Sequence, residues 1–363
     1  MFEYKKIHTL PFKYEIPTYI KAFLNNESKI HSRIKYIKRY LYVSLKGQKS
    51  KEIYKISDKH KDILWINLSA PSLGDSLMDL SSRVLLVDKK IDLLTNKKNA
   101  DLYYDDLTFS SIFTDKKEVI NKSYDLIIID SYSPKSIKIK ANIAFSEPFV
   151  GLYGYFNGPE VNRVLFSFHQ MNNLLGYKYS ESEINKKANS LIPISTHDVR
   201  IIESLKLPNF FIAIVIGGEW GYRTYKNWVK VIEKLLLIDN NLNIILLGSD
   251  NAKENEREIL EKFPTSNLES YVSKFTFNQT AQIISHANFL FCCDGGLMHA
   301  ANALDTKIIP LFARLHAEMQ LTKSCKSLPL FDLIDVNNIS AEDVVLKYIE
   351  AKANSDHNHL PVE

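Results

Sequence analysis

Residues 283–312 read IISHANFLFCCDGGLMHAANALDTKIIPLF, and their pattern decides the fold. Asn288 to Cys293 is a short apolar run that predicts a buried strand. Asp294-Gly295-Gly296 interrupts it, Leu297 to Leu304 resumes at helical spacing, and Lys307 to Phe312 predicts a second strand. A strand that hands over to a helix through a glycine turn leaves backbone N–H groups unpaired at the positive end of the helix dipole. Two residues without Cβ let an anion such as a diphosphate approach those groups closely. Asp294 can accept hydrogen bonds from a sugar or ribose hydroxyl, and His299 lies about one turn into the helix. The plainer reading of the same residues is a tight βα turn with a buried histidine.

Working outward, 363 residues with 45% apolar and 11% aromatic content suffice for two packed domains. No run approaches the roughly 18 uncharged apolar residues that span a bilayer. The start, MFEYKKIHTLPFKYEIP, lacks the apolar region of a signal peptide, so the expected compartment is the cytoplasm. The three cysteines, Cys292, Cys293 and Cys325, form neither a disulfide framework nor a zinc spacing, and read as reduced core residues. Charge is unevenly spread: residues 1–60 hold 14 Lys and Arg against 5 Asp and Glu, so the remaining 303 carry a net charge of −5. Within that basic extension, Ile20, Phe23, Leu24, Ile30, Ile34, Ile37 and Leu41 recur mostly three or four apart. The spacing predicts a basic amphipathic helix or helix pair over residues 18–45, which can pack on the body or lie on an anionic membrane surface. No nucleic-acid-binding module is visible, so no nucleic-acid partner is expected.

The body opens with a strand, Asp62 to Leu68, and a turn cluster ending at Gly74-Asp75. Ser76 to Val84 can start a helix, and Val84–Val87 with Ile91–Leu94 suggest further strand. Asp75 would lie at the carboxyl edge of a parallel sheet, as an N-cap or as a general base facing a cleft. Tyr124 to Asp130 predicts a buried strand ending in an acid, and the polar and aromatic residues through Gly158 read as loops. Arg163 to Leu175 predicts a helix bearing His169, and 176–197 suits a linker. A second αβ series follows. Its strands are Asn209–Ile216 and Asn243–Leu247, and its helices Trp228–Leu237, Ala252–Lys262 and Thr280–Ser285. The turn after its first strand holds Gly217, Gly218, Arg223 and Lys226, the last two being cations suited to phosphate. The segment after Phe312 reads as loop, and Ser340–Ala353 as a capped helix. Four regions follow: the extension 1–60, αβ domains over 61–190 and 191–340, and a helix with tail over 341–363.

The run Cys293-Asp294-Gly295-Gly296-Leu297-Met298-His299-Ala300-Ala301 resembles the D-[ST]-G-x-x-H-x-A signature of glycosyltransferase family 9, the heptosyltransferases of lipopolysaccharide core synthesis. Lys226-Asn227-Trp228 is similar to that family's K-x-W, and Leu73-Gly74-Asp75 to its first-domain G-D. The resemblance covers about residues 62–350. It implies a GT-B fold: α/β, with two Rossmann-like domains whose parallel sheets face a central cleft, the basic helical extension being additional. It also implies inverting, metal-independent transfer of a sugar, heptose by default, from a nucleotide-diphosphate sugar to a lipopolysaccharide, lipooligosaccharide or other surface-glycan acceptor.

Under the resemblance Asp75 takes the acceptor's proton. Gly217, Gly218, Arg223, Lys226, Asp294, Gly295, Gly296 and His299 hold the donor, ADP-linked by default, and Glu254 or Glu256 meets its ribose. Asn67, where the family carries Arg, and His169 are the candidates for acceptor contact. No metal and no cofactor beyond the nucleotide sugar is expected. The partner is a lipid-linked or oligosaccharide acceptor, and any membrane contact is peripheral, at the inner membrane. Two rivals are a sugar-nucleotide epimerase of the same fold and a catalytically silent scaffold that docks through the basic helix.

Overall fold

A computed structural model of the chain describes residues 29–157, 161–264 and 267–357. The expected helix over 18–28, the turn at Gly158 and the end of the tail lie outside the described residues. The chain divides into two compact units, Met1–Pro193 and Ile194–Glu363.

In the first unit, β1 (Asp62–Asn67), β2 (Lys90–Thr95), β3 (Phe109–Phe113), β4 (Leu126–Ser131) and β5 (Phe149–Gly154) form one sheet in the order β3-β2-β1-β4-β5. Every pairing is parallel. Ile63, Leu64, Trp65 and Ile66 in β1 and Leu126 to Ile129 in β4 are buried, as continuous apolar runs must be when both sheet faces are covered. The connections leave β1 and β4 in opposite lateral directions. Their carboxyl ends therefore border the crevice where open α/β sheets bind ligands.

Three expectations are corrected here. Residues Ser81–Leu85 make a 3₁₀ turn with Val84 and Val87 exposed, whereas the strand begins only at Lys90. Of the stretch read as loop, Pro134–Ile143 is a helix capped by Ser133, and Phe149–Gly154 is the edge strand β5, whose order comes from pairing with β4, a long-range contact that a short glycine-bearing segment does not announce. The expected linker contains the helix Glu181–Lys187 and the start of the helix Thr196–Glu203, each begun by a serine cap, Ser180 or Ser195.

The extension's helix Lys29–Leu45 belongs to the first unit, where Tyr36 and Val43 are buried and Val43 joins the core with Leu64 and Ile129. The amine of Lys140, on the helix Pro134–Ile143, holds this junction. It is enclosed, donates to Gln48 Oε1 at 2.6 Å and Glu147 O at 2.6 Å, and burial lowers its pKa to about 8.

The second unit is a six-stranded parallel sheet of β6 (Ile212–Val215), β7 (Ile244–Leu247), β8 (Leu268–Ser270), β9 (Phe289–Cys293), β10 (Ile308–Ala313) and β11 (Leu330–Asp332), ordered β11-β10-β9-β6-β7-β8. β11 arises within the segment read as loop. One core packs Trp228, Val231, Ile232 and Tyr348 on one face, and another packs Ile283, Ile284, Met298 and Ala301 on the other. Here the crevice falls between β6 and β9, and the opening Asp294-Gly295-Gly296 turn stands at its edge.

Candidate active site

In the first unit the crevice gathers carboxylates. Ser72 caps the helix Leu73–Asp79, and the Asp75 backbone N–H donates to Ser72 Oγ at 3.2 Å. Asp75 is thus not the cap itself but the third helical residue, where a carboxylate also interacts favourably with the helix dipole. Ser72 Oγ–H donates to Asp75 Oδ2 at 2.6 Å, and Arg163 Nη1 lies 2.9 Å from Oδ1. One turn along, Asp79 receives Arg163 Nε at 2.9 Å, Arg163 Nη2 at 2.6 Å and the Tyr153 hydroxyl at 2.7 Å. Arg163 therefore clamps two carboxylates that helical spacing places on one face. Against the cost of burial, Asp79 above all holds its guanidinium firmly charged.

Beneath this pair lies Asp130, the acid at the end of β4. Asn67 Nδ2 donates to its Oδ1 at 2.9 Å, and the Ser69 N–H to its Oδ2 at 3.0 Å. Burial first, and the Asp79 charge second, raise its pKa to about 7. Asn67 is enclosed: its Oδ1 accepts from Ser76 Oγ at 2.8 Å and its carbonyl from Thr95 Oγ1 at 2.9 Å. It braces the cluster instead of facing solvent. His169 is buried further along the helix Arg163–Leu175, where burial lowers its pKa against the opposing pull of Glu181. Asp75 is a candidate legible in the sequence; Arg163, which pairs with it, and Asp79 and Tyr153, which complete the cluster through Arg163, are not, though the four-residue spacing of the two acids is an available signal.

In the second unit, aromatic anchors position the cations. Tyr225 and Trp228 are buried edge to face, and the Tyr225 hydroxyl donates to Ile339 O at 3.0 Å. Lys226 lies between these anchors and is exposed. Its backbone N–H donates to Asn337 Oδ1 at 2.8 Å, while Asn337 Nδ2 donates to Thr224 O at 3.0 Å. A Cβ on Gly218 would stand 2.3 Å from Thr224 Oγ1, and one on Gly217 2.5 Å from Asn251 Oδ1. Both glycines are thus needed by the loop's own packing. Asn251 Nδ2 on Gly218 O (2.9 Å) and Asn255 Nδ2 on Ile216 O (2.7 Å) complete the bracing, roles the sequence did not suggest.

Across the crevice, Arg223 Nη1 lies 2.9 Å from Asp294 Oδ2, an ion pair by distance that is not aligned as a hydrogen bond. Arg223 Nε is buried with no hydrogen-bond acceptor among the described residues. His299 Nε2 stands 4.0 Å from Asp294 Oδ1. Gly295 precedes the helix Gly296–Ala303 in a fully extended conformation; no side chain caps the helix, and the Met298 and His299 N–H groups turn back onto Gly295 O at 3.1 and 3.3 Å. A third cation, Arg314, follows β10: its guanidinium lies 3.9 Å from the Tyr222 ring centroid and its Nε donates to Ile334 O at 3.1 Å. Arg223 lies 5.3 Å from the same ring, so two guanidinium groups share one aromatic face partner.

Glu256 accepts from Ser270 Oγ, whereas Glu254 is exposed on the same helix, Lys253–Lys262. Burial pushes the Cys293 thiol to about 12 and Cys292 well above its ordinary value, which keeps both protonated and unreactive. The second unit thus offers Arg223 paired with a buried acid, Arg314 on the same Tyr222 ring, exposed Lys226 on the Arg223 loop and an uncapped helix start, groups suited to a diphosphate whose attached sugar presents hydroxyls.

Residues 158–327 match the description of glycosyltransferase family 9 (heptosyltransferase). No curated protein sequence matches the chain. Among solved structures, the family 9 glycosyltransferase of Veillonella parvula DSM 2008 aligns with a TM-score of 0.64 and 12% identity over 81% of this chain and 97% of its own. E. coli ADP-heptose lps heptosyltransferase II aligns at 0.60, with 16% identity over 81% and 99%. E. coli heptosyltransferase WaaC with ADP aligns at 0.58, with 15% identity over 80% and 98%. At such identities the structural likeness is one of fold.

Proposed function

We propose, from the premise that this chain is a glycosyltransferase of family 9, that it moves a sugar with inversion from a nucleotide-diphosphate donor to a surface-glycan acceptor of lipopolysaccharide type. The observation that supports the reading is the Arg223–Asp294 ion pair at the β6/β9 edge, beside the glycine turn that opens the helix Gly296–Ala303, with Arg314 on the same Tyr222 ring as Arg223 and Lys226 exposed further along the Arg223 loop. Heptose carried on ADP is the donor we assign, because family 9 and the E. coli WaaC structure with ADP both point that way.

In this reading the diphosphate sits on the helix N-terminus, and Lys226 and Arg314 take up negative charge as the glycosidic bond breaks. Arg223, now paired with Asp294, turns toward phosphate. Asp294 then accepts from a sugar hydroxyl, with His299 behind it. Asp75 removes the acceptor hydroxyl's proton as that oxygen attacks the anomeric carbon from the face opposite the departing phosphate. Arg163 and Ser72 hold the carboxylate in place. Since the protein's own cations neutralise the leaving group, turnover needs no added divalent metal.

A thermal-shift series with ADP-, UDP-, GDP- and CMP-sugars, each with and without EDTA, tests the donor site. At about a hundredfold over Kd the donor should stabilise the protein by about 2.7 kcal/mol, with EDTA making no difference. No shift with any nucleotide sugar would defeat the reading. Loss of the shift in EDTA would defeat only its metal-free part. Turnover of ADP-heptose with a deep-core lipooligosaccharide, followed by NMR of the new anomeric centre, tests inversion. Asp75→Asn should abolish that turnover while leaving the thermal shift intact.

A further inference from the structure

We infer that the extension's helix Lys29–Leu45 seats the protein on an anionic lipid bilayer through the face turned away from the body. Its inner face is occupied: Tyr36 is 7% exposed and Val43 0%. Its outer face carries Ile34, Ile37, Leu41 and Leu45, spaced three, four and four apart and exposed by 46, 46, 53 and 83%. At 3.6 residues per turn these four fall on one stripe, roughly opposite Tyr36 and Val43. Phe145, 55% exposed, continues the apolar surface at the helix's carboxyl end, since a Cβ on Gly47 would stand 3.3 Å from its ring.

Charge identifies the occupant. From Lys29 to Lys51 the chain has eight Lys and Arg and no Asp or Glu. Lys49 pairs with Glu52, and Lys38 and Lys46 are exposed on the helix or just beyond it. On the neighbouring helix Pro134–Ile143, Lys135 and Lys138 are exposed as well. A narrow aliphatic stripe bordered by cations suits the interface of anionic headgroups and acyl chains, where aliphatic groups enter the boundary and Lys and Arg meet phosphate. Among the described residues no helix is long and apolar enough to cross a membrane, so the contact is one of lying on the surface. It deepens the transferase reading, because a lipid-borne acceptor would then be met at the surface that holds it.

The test uses the full chain without donor or acceptor, so its outcome is separate from that of the nucleotide-sugar experiment. Co-sedimentation is measured with vesicles of phosphatidylcholine and with vesicles of phosphatidylcholine mixed with phosphatidylglycerol. The protein should bind the mixed vesicles, bind the neutral ones at least about tenfold more weakly, and be released by high salt. The double variant Ile37→Glu/Leu41→Glu should lose about tenfold or more of its partition onto the mixed vesicles and keep its donor-induced thermal shift. Equal binding by variant and wild type would overturn the inference, as would no binding to either vesicle. So would a dimer of the full chain that the double variant dissociates, which would assign the stripe to a second copy.

Discussion

Arg163 is the residue on which the first unit's carboxylate cluster depends. Three of its nitrogens meet two acids, one of them nearly enclosed, so Arg163→Ala would leave Asp79 buried with only Tyr153 to answer its charge. Breaking one side of a buried pair costs about 3–5 kcal/mol, and urea unfolding of the variant should show a loss of that size. Lysine should restore only part of it, because an ammonium cannot reproduce the forked contact with Asp79. Asp130 gives a pH signature. Its folded pKa is raised to about 7 from an ordinary 3.8, so between those values the native state keeps a proton that the unfolded chain has released. Stability contributed at this site is therefore present below pH 3.8, falls as pH rises toward 7, and is level beyond. At about 1.4 kcal/mol per pKa unit the whole fall is of the order of 4 kcal/mol. Melting temperature measured across pH 4–8 should decline from this source, and Asp130→Asn should flatten that decline. Parallel profiles for the two proteins would refute the assignment.

At the scale of elements, what could be read from the chain follows from where the information lies. Central strands such as β1, β4 and β9 are continuous apolar runs and announce themselves. Edge strands do not: β3, β8 and β11 are short, and β5 contains glycine, so each owes its order to a neighbour that adjacent residues do not specify. The donor loop shows the same division. Lys226 and Trp228 are legible as a motif, but the anchor Tyr225 is not, and Asn251, Asn255 and Asn337, which hold that loop in place, come from distant segments with no pattern of their own. The loop's shape rests on the room left by Gly218. Gly218→Ala should displace Thr224 and with it the cation-bearing turn, weakening donor binding while the sheet stays folded, as nucleotide titration and circular dichroism would show. Lys226→Ala removes only a charge. It should raise the donor Kd by about ten- to a hundredfold, the worth of one charged hydrogen bond, with no change in melting temperature of the unliganded protein.

For the whole molecule, the division at Pro193 matters because each unit has a core of its own. Residues 194–363 produced alone should fold, and should show most of the thermal shift that the intact chain gives with ADP, since the proposed phosphate contacts all lie within them. Absence of any shift, with circular dichroism showing a folded fragment, would move the nucleotide elsewhere. Arg314 links this scale back to the first. It sits at φ 68°, a left-handed backbone that a side chain with Cβ occupies at a cost of about 1 kcal/mol or more, and that glycine adopts freely. Arg314→Gly would shed that cost but also the bond to Ile334 O and the stacking on Tyr222, so the exchange should leave melting temperature nearly level while donor affinity falls, the mark of a strained residue kept for what its side chain reaches.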